Sequence, residues 1–88
     1  MTYVYILESV HDRTQRYIGI TPDLKRRFLD HNSGRSAHTR KHMPWHLVAY
    51  TAFADEKTGM AYERYLKSGS GRAFLSRHFF CSGNAPDI

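Results

Sequence analysis

An α+β fold, a three-stranded antiparallel sheet flanked by three helices, is what this sequence predicts on three observations. Apolar residues alternate with a period of two over Thr2–Ser9, Arg16–Ile20 and Trp45–Ala54, and recur with helical spacing after Thr21, Asp55 and Ser70. Only polar residues, His11 to Gln15, separate the first two strands, so they read as a hairpin and not as a crossover. The 88 residues leave room for one domain and not for two, since a single core typically takes about 100–150 residues and a second would need as many again. That domain is expected to span residues 1–80, with 81–88 as a patternless, disordered tail.

The first strand places Tyr3, Tyr5 and Leu7 on one face and Val4 and Ile6 on the other, in aromatic and β-branched residues suited to a pleated surface. A turn centred near His11 sets Tyr5 opposite Tyr17. Thr21-Pro22-Asp23 reads as a helix start: Thr21 caps the orphan amides, Pro22 needs no donor at the first helical position, and Asp23 suits the positive end of the dipole. The helix is expected to reach Asn32 and stop at Gly34. At about 100° per residue, Leu24, Phe28 and His31 share one face with Arg27 at its edge, while Arg26 and Lys25 look to water and Asp30 lies on the outer face.

Ser33 to Pro44 reads as a long basic loop, of the kind that is functional or mobile, and is expected to order on binding a partner. The third strand follows, with Trp45, Leu47, Ala49, Thr51 and Phe53 on one face and Val48, Tyr50 and Ala52 on the other, which predicts cover on both. Asp55 caps a helix running through Ser68 with a core stripe of Ala61, Tyr62, Tyr65 and Leu66, and Glu63 beside it. Ser70-Gly71 opens the last helix, expected to bury Phe74, Leu75 and Phe79.

Charge and composition narrow the function classes. The apolar run Tyr3–Leu7 is halted by Glu8, too short for a signal-peptide core or a bilayer span. Cys81 is the only cysteine, so neither an internal disulfide nor a cysteine-based zinc site is expected, and a cytoplasmic setting fits. Residues 25–46 hold Lys25, Arg26, Arg27, Arg35, Arg40 and Lys41 against Asp30 alone, and residues 64–78 hold Arg64, Lys67, Arg72 and Arg77 with no acid. Two such tracts point to a polyanion whose phosphates displace counterions, against the plainer alternative of a solvated surface. His38, His42 and His46 are four apart, but Pro44 interrupts any shared helical face, so phosphate contact or base stacking is the better account than zinc. Gly69-Ser70-Gly71 is at most a weak phosphate-binding helix start.

Val4-Tyr5-Ile6, then Tyr17-Ile18-Gly19, Arg27 to Gly34, Pro44-Trp45 and Ala61 to Lys67, taken in that order, resemble the GIY-YIG nuclease domain, and most of all its small stand-alone bacterial members. The resemblance covers residues 2–76. It implies a DNA endonuclease, structure- or lesion-directed in repair or recombination, that uses one divalent ion, Mg²⁺ or Mn²⁺, to leave 5′-phosphate and 3′-hydroxyl ends. Tyr5 and Tyr17 would be the motif tyrosines, Arg27 the helix arginine, His31 the residue one turn later and Glu63 the metal ligand. A tyrosine titrating near 10 acts as a base only if its surroundings lower that value, and otherwise positions the water. Tyr17 would hold the scissile phosphate, Arg27 would neutralise transition-state charge, and the Glu63 oxygens suit a hard cation. Arg35, His38, Arg40, Lys41, Lys67 and Arg72 are the expected DNA contacts. The chain departs from the family pattern at Val4-Tyr5-Ile6, at Ile20 where many repair members carry Lys, and in having no Asn after Glu63 before Asn84. Three alternatives remain: an Arg27–Glu63 salt bridge of purely structural meaning, a His31 that merely satisfies the core, and a catalytically silent nucleic-acid-binding module.

Overall fold

The computed structural model describes residues 1–80; the expected tail at 81–88, with Cys81 and Asn84, lies outside them. In chain order the elements are β1 (Thr2–Ser9), β2 (Arg16–Thr21), α1 (Leu24–Asn32), a 3₁₀ turn (Arg40–His42), β3 (Trp45–Phe53), α2 (Glu56–Leu66) and α3 (Gly69–His78). The strands form one antiparallel sheet in the order β2-β1-β3, the α+β arrangement expected from the alternation. β1 holds the centre because it is apolar on both faces. Val4 and Ile6 pack with Leu66 and Leu75 beneath α2 and α3, whereas Tyr5 and Leu7 pack with Trp45, Leu24 and Phe28 beneath α1. Each such side chain removed from water stabilises the fold by about 1.5–3 kcal/mol.

Four local expectations are corrected. Tyr5 lies opposite Gly19 and Tyr17 opposite Leu7, because the hairpin loop, closed by the Ser9 amide on the Gln15 carbonyl, centres one residue later than His11. Both tyrosines still face the same side as diagonal neighbours. Asp23, not Thr21, caps α1, accepting from the Arg26 amide at 3.2 Å; Thr21 ends β2, and its hydroxyl accepts from the Asp23 amide. β3 is an edge strand, with Tyr50 54% exposed, so its apolar residues are not covered on both faces. A register shift between Ile6 and Leu7 also breaks its simple alternation. Leu7 pairs with Leu47 but Ile6 pairs with Ala49, so Trp45 and Leu47 join the α1 side while Val48, Ala49 and Phe53 join the other.

On α2, Asp55 caps as expected, but Ala61 and Tyr65 are exposed, and it is Gly59, Tyr62 and Leu66 that turn inward. The helix stops at Leu66, two residues short of the expected Ser68, because the Ser68 side chain caps α3 through the Gly71 amide. Gly71 is required there: any Cβ would collide with the Tyr65 carbonyl and Leu66 backbone, so the two helices cross at backbone contact. At the end of α3, Phe79 is exposed and Phe80 packs on the core in its place. Among the described residues no helix is long and apolar enough to cross a membrane.

Candidate active site

The α1 side of the sheet holds a chain of polar groups inside an apolar shell. Tyr5 projects from β1 across β2, and its hydroxyl meets His31 Nε2 at 2.8 Å. The other ring nitrogen, Nδ1, meets the Thr39 hydroxyl at 2.7 Å. All three are buried, Tyr5 and His31 completely. Burial strengthens such bonds and makes an unpaired member costly; among the described residues no buried side-chain polar atom lacks a partner. The Tyr17 ring closes the cluster, its centroid 4.9 Å from His31 and 6.1 Å from Tyr5.

Local sequence explains the placement. His31 sits one helical turn beyond Phe28 on the inward face of α1, and Gly34, at φ 83°, lets the chain leave the helix in the left-handed conformation. The loop after it is anchored, which corrects the expectation of an arm that orders on binding. Ser36 and Thr39 are buried, the Trp45 indole donates to the Thr39 carbonyl at 2.9 Å, and Asn32 pins Trp45 by accepting from its amide and donating to its carbonyl. Thr39 is therefore preorganised against His31. Nothing in the sequence pattern marks Thr39 or Asn32 for these tasks, since neither belongs to a period.

Gly19, the last residue of the second motif, leaves room for the tyrosines: a Cβ on it would strike the Tyr5 hydroxyl and the Tyr17 ring. Tyr5 is itself completely buried. Gly19→Ala is expected to cost about 1–3 kcal/mol by overpacking, read as a lower denaturation midpoint at unchanged m-value.

The electrostatics keep the buried pair neutral. Burial, and next the Tyr17 phenol, push Tyr5 up to about 12, with the Arg27 guanidinium acting against them. Burial, and next Arg27, hold His31 below its usual value. Tyr5 is thus protonated at neutral pH and shut off from solvent, so it is half-buried Tyr17, not Tyr5, that can meet a water or a phosphate. Arg27, with its side chain 37% exposed, lies beside them and contacts Asp30 only at 3.9 Å. Asp30 is not on an outer face as expected; it holds both Arg27 and, at 3.6 Å, Arg35. The supposed Arg27–Glu63 salt bridge does not form.

Glu63 approaches from the other sheet face. On α2, Gly59 and Leu66 point at the sheet and Tyr62 toward β3, where it meets Phe53, so helical geometry turns Glu63 to the β2 side. Its carboxylate is 21% exposed and pairs with Lys67 at 2.8 Å. No hydrogen bond links it to Tyr5, Tyr17 or His31, so the five expected residues form a buried pair, Tyr5 and His31, with half-buried Tyr17 against it, a flanking arginine and a separate carboxylate. Among the described residues no group of three or more His, Cys, Asp or Glu is arranged to hold a metal. A lone carboxylate oxygen pair suits only an ion that keeps waters and takes substrate oxygens as its other ligands, which is the habit of Mg²⁺. His38, Arg40, Lys41, Lys67 and Arg72 are all exposed, as phosphate contacts require.

The profile of the GIY-YIG catalytic domain matches residues 1–75. The chain is similar to a UPF0213 protein of Streptococcus pyogenes serotype M3, 37% identical over 81 residues and covering 86% of each chain. A second, from serotype M5, is 36% identical over the same span. Among solved structures it is similar to the solution structure of a UPF0213 protein from Bacillus halodurans, at 34% identity and a TM-score of 0.53, with 91% of this chain and 88% of that one covered.

Proposed function

The chain belongs to the GIY-YIG catalytic domain family, a nuclease fold, and we propose that it is a metal-dependent DNA endonuclease, acting on branched, flapped or damaged DNA in repair or recombination. The observation that supports this reading best is the buried chain Tyr5–His31–Thr39 with the half-buried Tyr17 ring against its outer end. A fully buried polar chain costs stability that an apolar core would not, and a catalytically silent binding module has no use for it.

In this reading the scissile phosphate lies against Tyr17 and Arg27. As water attacks phosphorus, the Tyr17 oxygen takes its proton and passes its own to the Tyr5 oxygen, whose proton moves to His31 Nε2. The imidazolium so formed keeps its Nδ1–H on Thr39. The leaving 3′ oxygen collects a proton from solvent at the open edge of β2. Arg27 neutralises the charge gained by the pentacoordinate phosphate with a planar fork. Glu63 would hold the divalent ion, which when bound supplies Lewis acidity toward the phosphate oxygens. A reducing, cytoplasmic setting belongs to the same reading.

The test is cleavage of flap, branched, single-stranded and plain duplex DNA with and without Mg²⁺. Turnover on none of them, alongside salt-sensitive binding, would leave the silent module as the correct reading.

Affinity and chemistry should separate. Replacing Arg35, Arg40 and Lys41 together by Ala should shallow the slope of log affinity against log salt by about 2, at roughly 0.9 per phosphate contact on duplex DNA. The slope loses less than three contacts' worth because Arg35 is already partly neutralised by Asp30. All three are exposed, so the melting temperature should not move. An unchanged slope in a salt titration would show that DNA does not follow this loop.

A further inference from the structure

A cavity of about 600 Å³ runs along the outer edge of β2, between the hairpin and α3. Its floor is apolar, with Ile6, Ile18 and Leu75, and its rim carries Arg16, Lys67 and Arg72. Tyr17 contributes to its wall at the edge of β2, while its ring turns to the α1 face, so the groove and the tyrosine cluster lie on the two sides of one strand edge. The three cations are unevenly answered. Arg16 reaches Glu8 only at 3.8 Å and lies 3.7 Å over the Phe80 ring, Lys67 pairs with Glu63, and Arg72 makes no ion pair among the described residues. The size is that of a small-molecule site, and the chemistry, cations around an apolar floor, is that of a phosphate joined to a planar base.

We propose that this groove takes one unpaired nucleotide of the substrate strand, across the edge of β2 from the scissile phosphate. Arg72 and Arg16 clamp its phosphate, and the base lies on Ile18 and Leu75. A paired base has its faces stacked and its edges engaged, so it enters a concave site only by leaving the helix. A bulged, flap or mismatched nucleotide has paid most of that cost already. The outer edge of β2 has no strand neighbour, so its backbone N–H and C=O groups are free to meet base edges. This inference rests on the nuclease reading and narrows it: the substrate is DNA with at least one unpaired nucleotide at the cut.

Binding to the full chain without divalent metal tests it. The probes are pentadeoxyadenylate, free dAMP, a duplex with a single-nucleotide bulge and the same duplex uninterrupted. Two variants perturb exposed positions: Arg72→Glu reverses the rim charge, and Ser76→Trp fills the groove while leaving the charges in place. Each should weaken the bulged duplex by about tenfold more than the uninterrupted one, the worth of a stacked and clamped nucleotide, and Ser76→Trp, which changes no charge, should weaken the uninterrupted duplex by no more than about twofold. Pentadeoxyadenylate should shift amide resonances of residues 14–18 and 72–76. Equal losses on both duplexes, or shifts confined to α1 and the 33–44 loop, would overturn the proposal. Tighter binding of dAMP than of the pentamer would do so too, by making the groove a free-nucleotide site. Cleavage is scored separately: bulge-selective binding without turnover defeats the nuclease reading alone, and turnover with a silent groove defeats this inference alone.

Discussion

Glu63→Gln should reduce metal-dependent cleavage by about 10³-fold or more, the largest loss expected from any single substitution in this chain. Removing an ion that stabilises transition-state charge forfeits several kcal/mol, and each 1.4 kcal/mol is tenfold in rate. The amide keeps the shape of the carboxylate but loses its charge. Its other consequence is small: the Lys67 pair at 2.8 Å is an i,i+4 contact on a helix surface, worth about 0.3–0.5 kcal/mol. The variant should therefore melt within a degree or two of wild type while its turnover disappears. Mn²⁺ binding, followed by electron paramagnetic resonance in the presence of uncleavable phosphorothioate DNA, supplies a readout independent of turnover. Wild-type turnover or wild-type Mn²⁺ uptake in the variant would remove Glu63 from the site.

Tyr5→Phe comes second, at about 10²–10³-fold, the range for deleting a proton-transfer group. The ring stays in its apolar shell while the link between Tyr17 and His31 is cut. The variant also strands His31 Nε2 without a partner, which costs about 1–3 kcal/mol of stability, so rates must be compared where both proteins are folded. The pH profile separates relay from packing. His31 must be neutral to accept a proton, and burial with Arg27 holds its value below the usual 6.5. Wild-type cleavage should therefore stay level down to about pH 6.5 and fall only below it. In Tyr5→Phe that acid limb should vanish with the relay. A residual rate that keeps the same acid limb would show that His31 acts by another route.

The same shifts govern stability. The unfolded chain takes up a proton on His31 before the folded one does, so its contribution is present above about pH 6.5 and is lost as pH falls from there toward the lower folded value. Tyr5 behaves oppositely. Its folded value, about 12, lies above the ordinary 10, so the stability it adds is present below pH 10 and lost as pH rises toward 12.

Periods, caps and composition are properties of neighbours in the chain, and these the sequence determined: three strands, three helices, their order along the chain, the Asp55 cap, the stop at Gly34, and a first strand apolar on both faces. Motif residues in order also pointed to the family and to the residues worth testing. Quantities that depend on pairing were another matter. Two extra residues in the hairpin loop moved Tyr17 from opposite Tyr5 to its diagonal, and one bulge at Val48 moved half of β3 to the other face; neither shift alters a local pattern. Thr39 lies in a segment with no period at all, yet the indole of Trp45 and the turn around Arg40 hold it against His31, eight residues away. Tyr5 read as a candidate base until the fold buried it, because burial is the sum of contacts from α1, β2 and the loop together. Alternation and spacing report which way a side chain leaves its own backbone; only the packed structure decides what stands in front of it, and that is what sets a pKa, closes a relay and opens a groove.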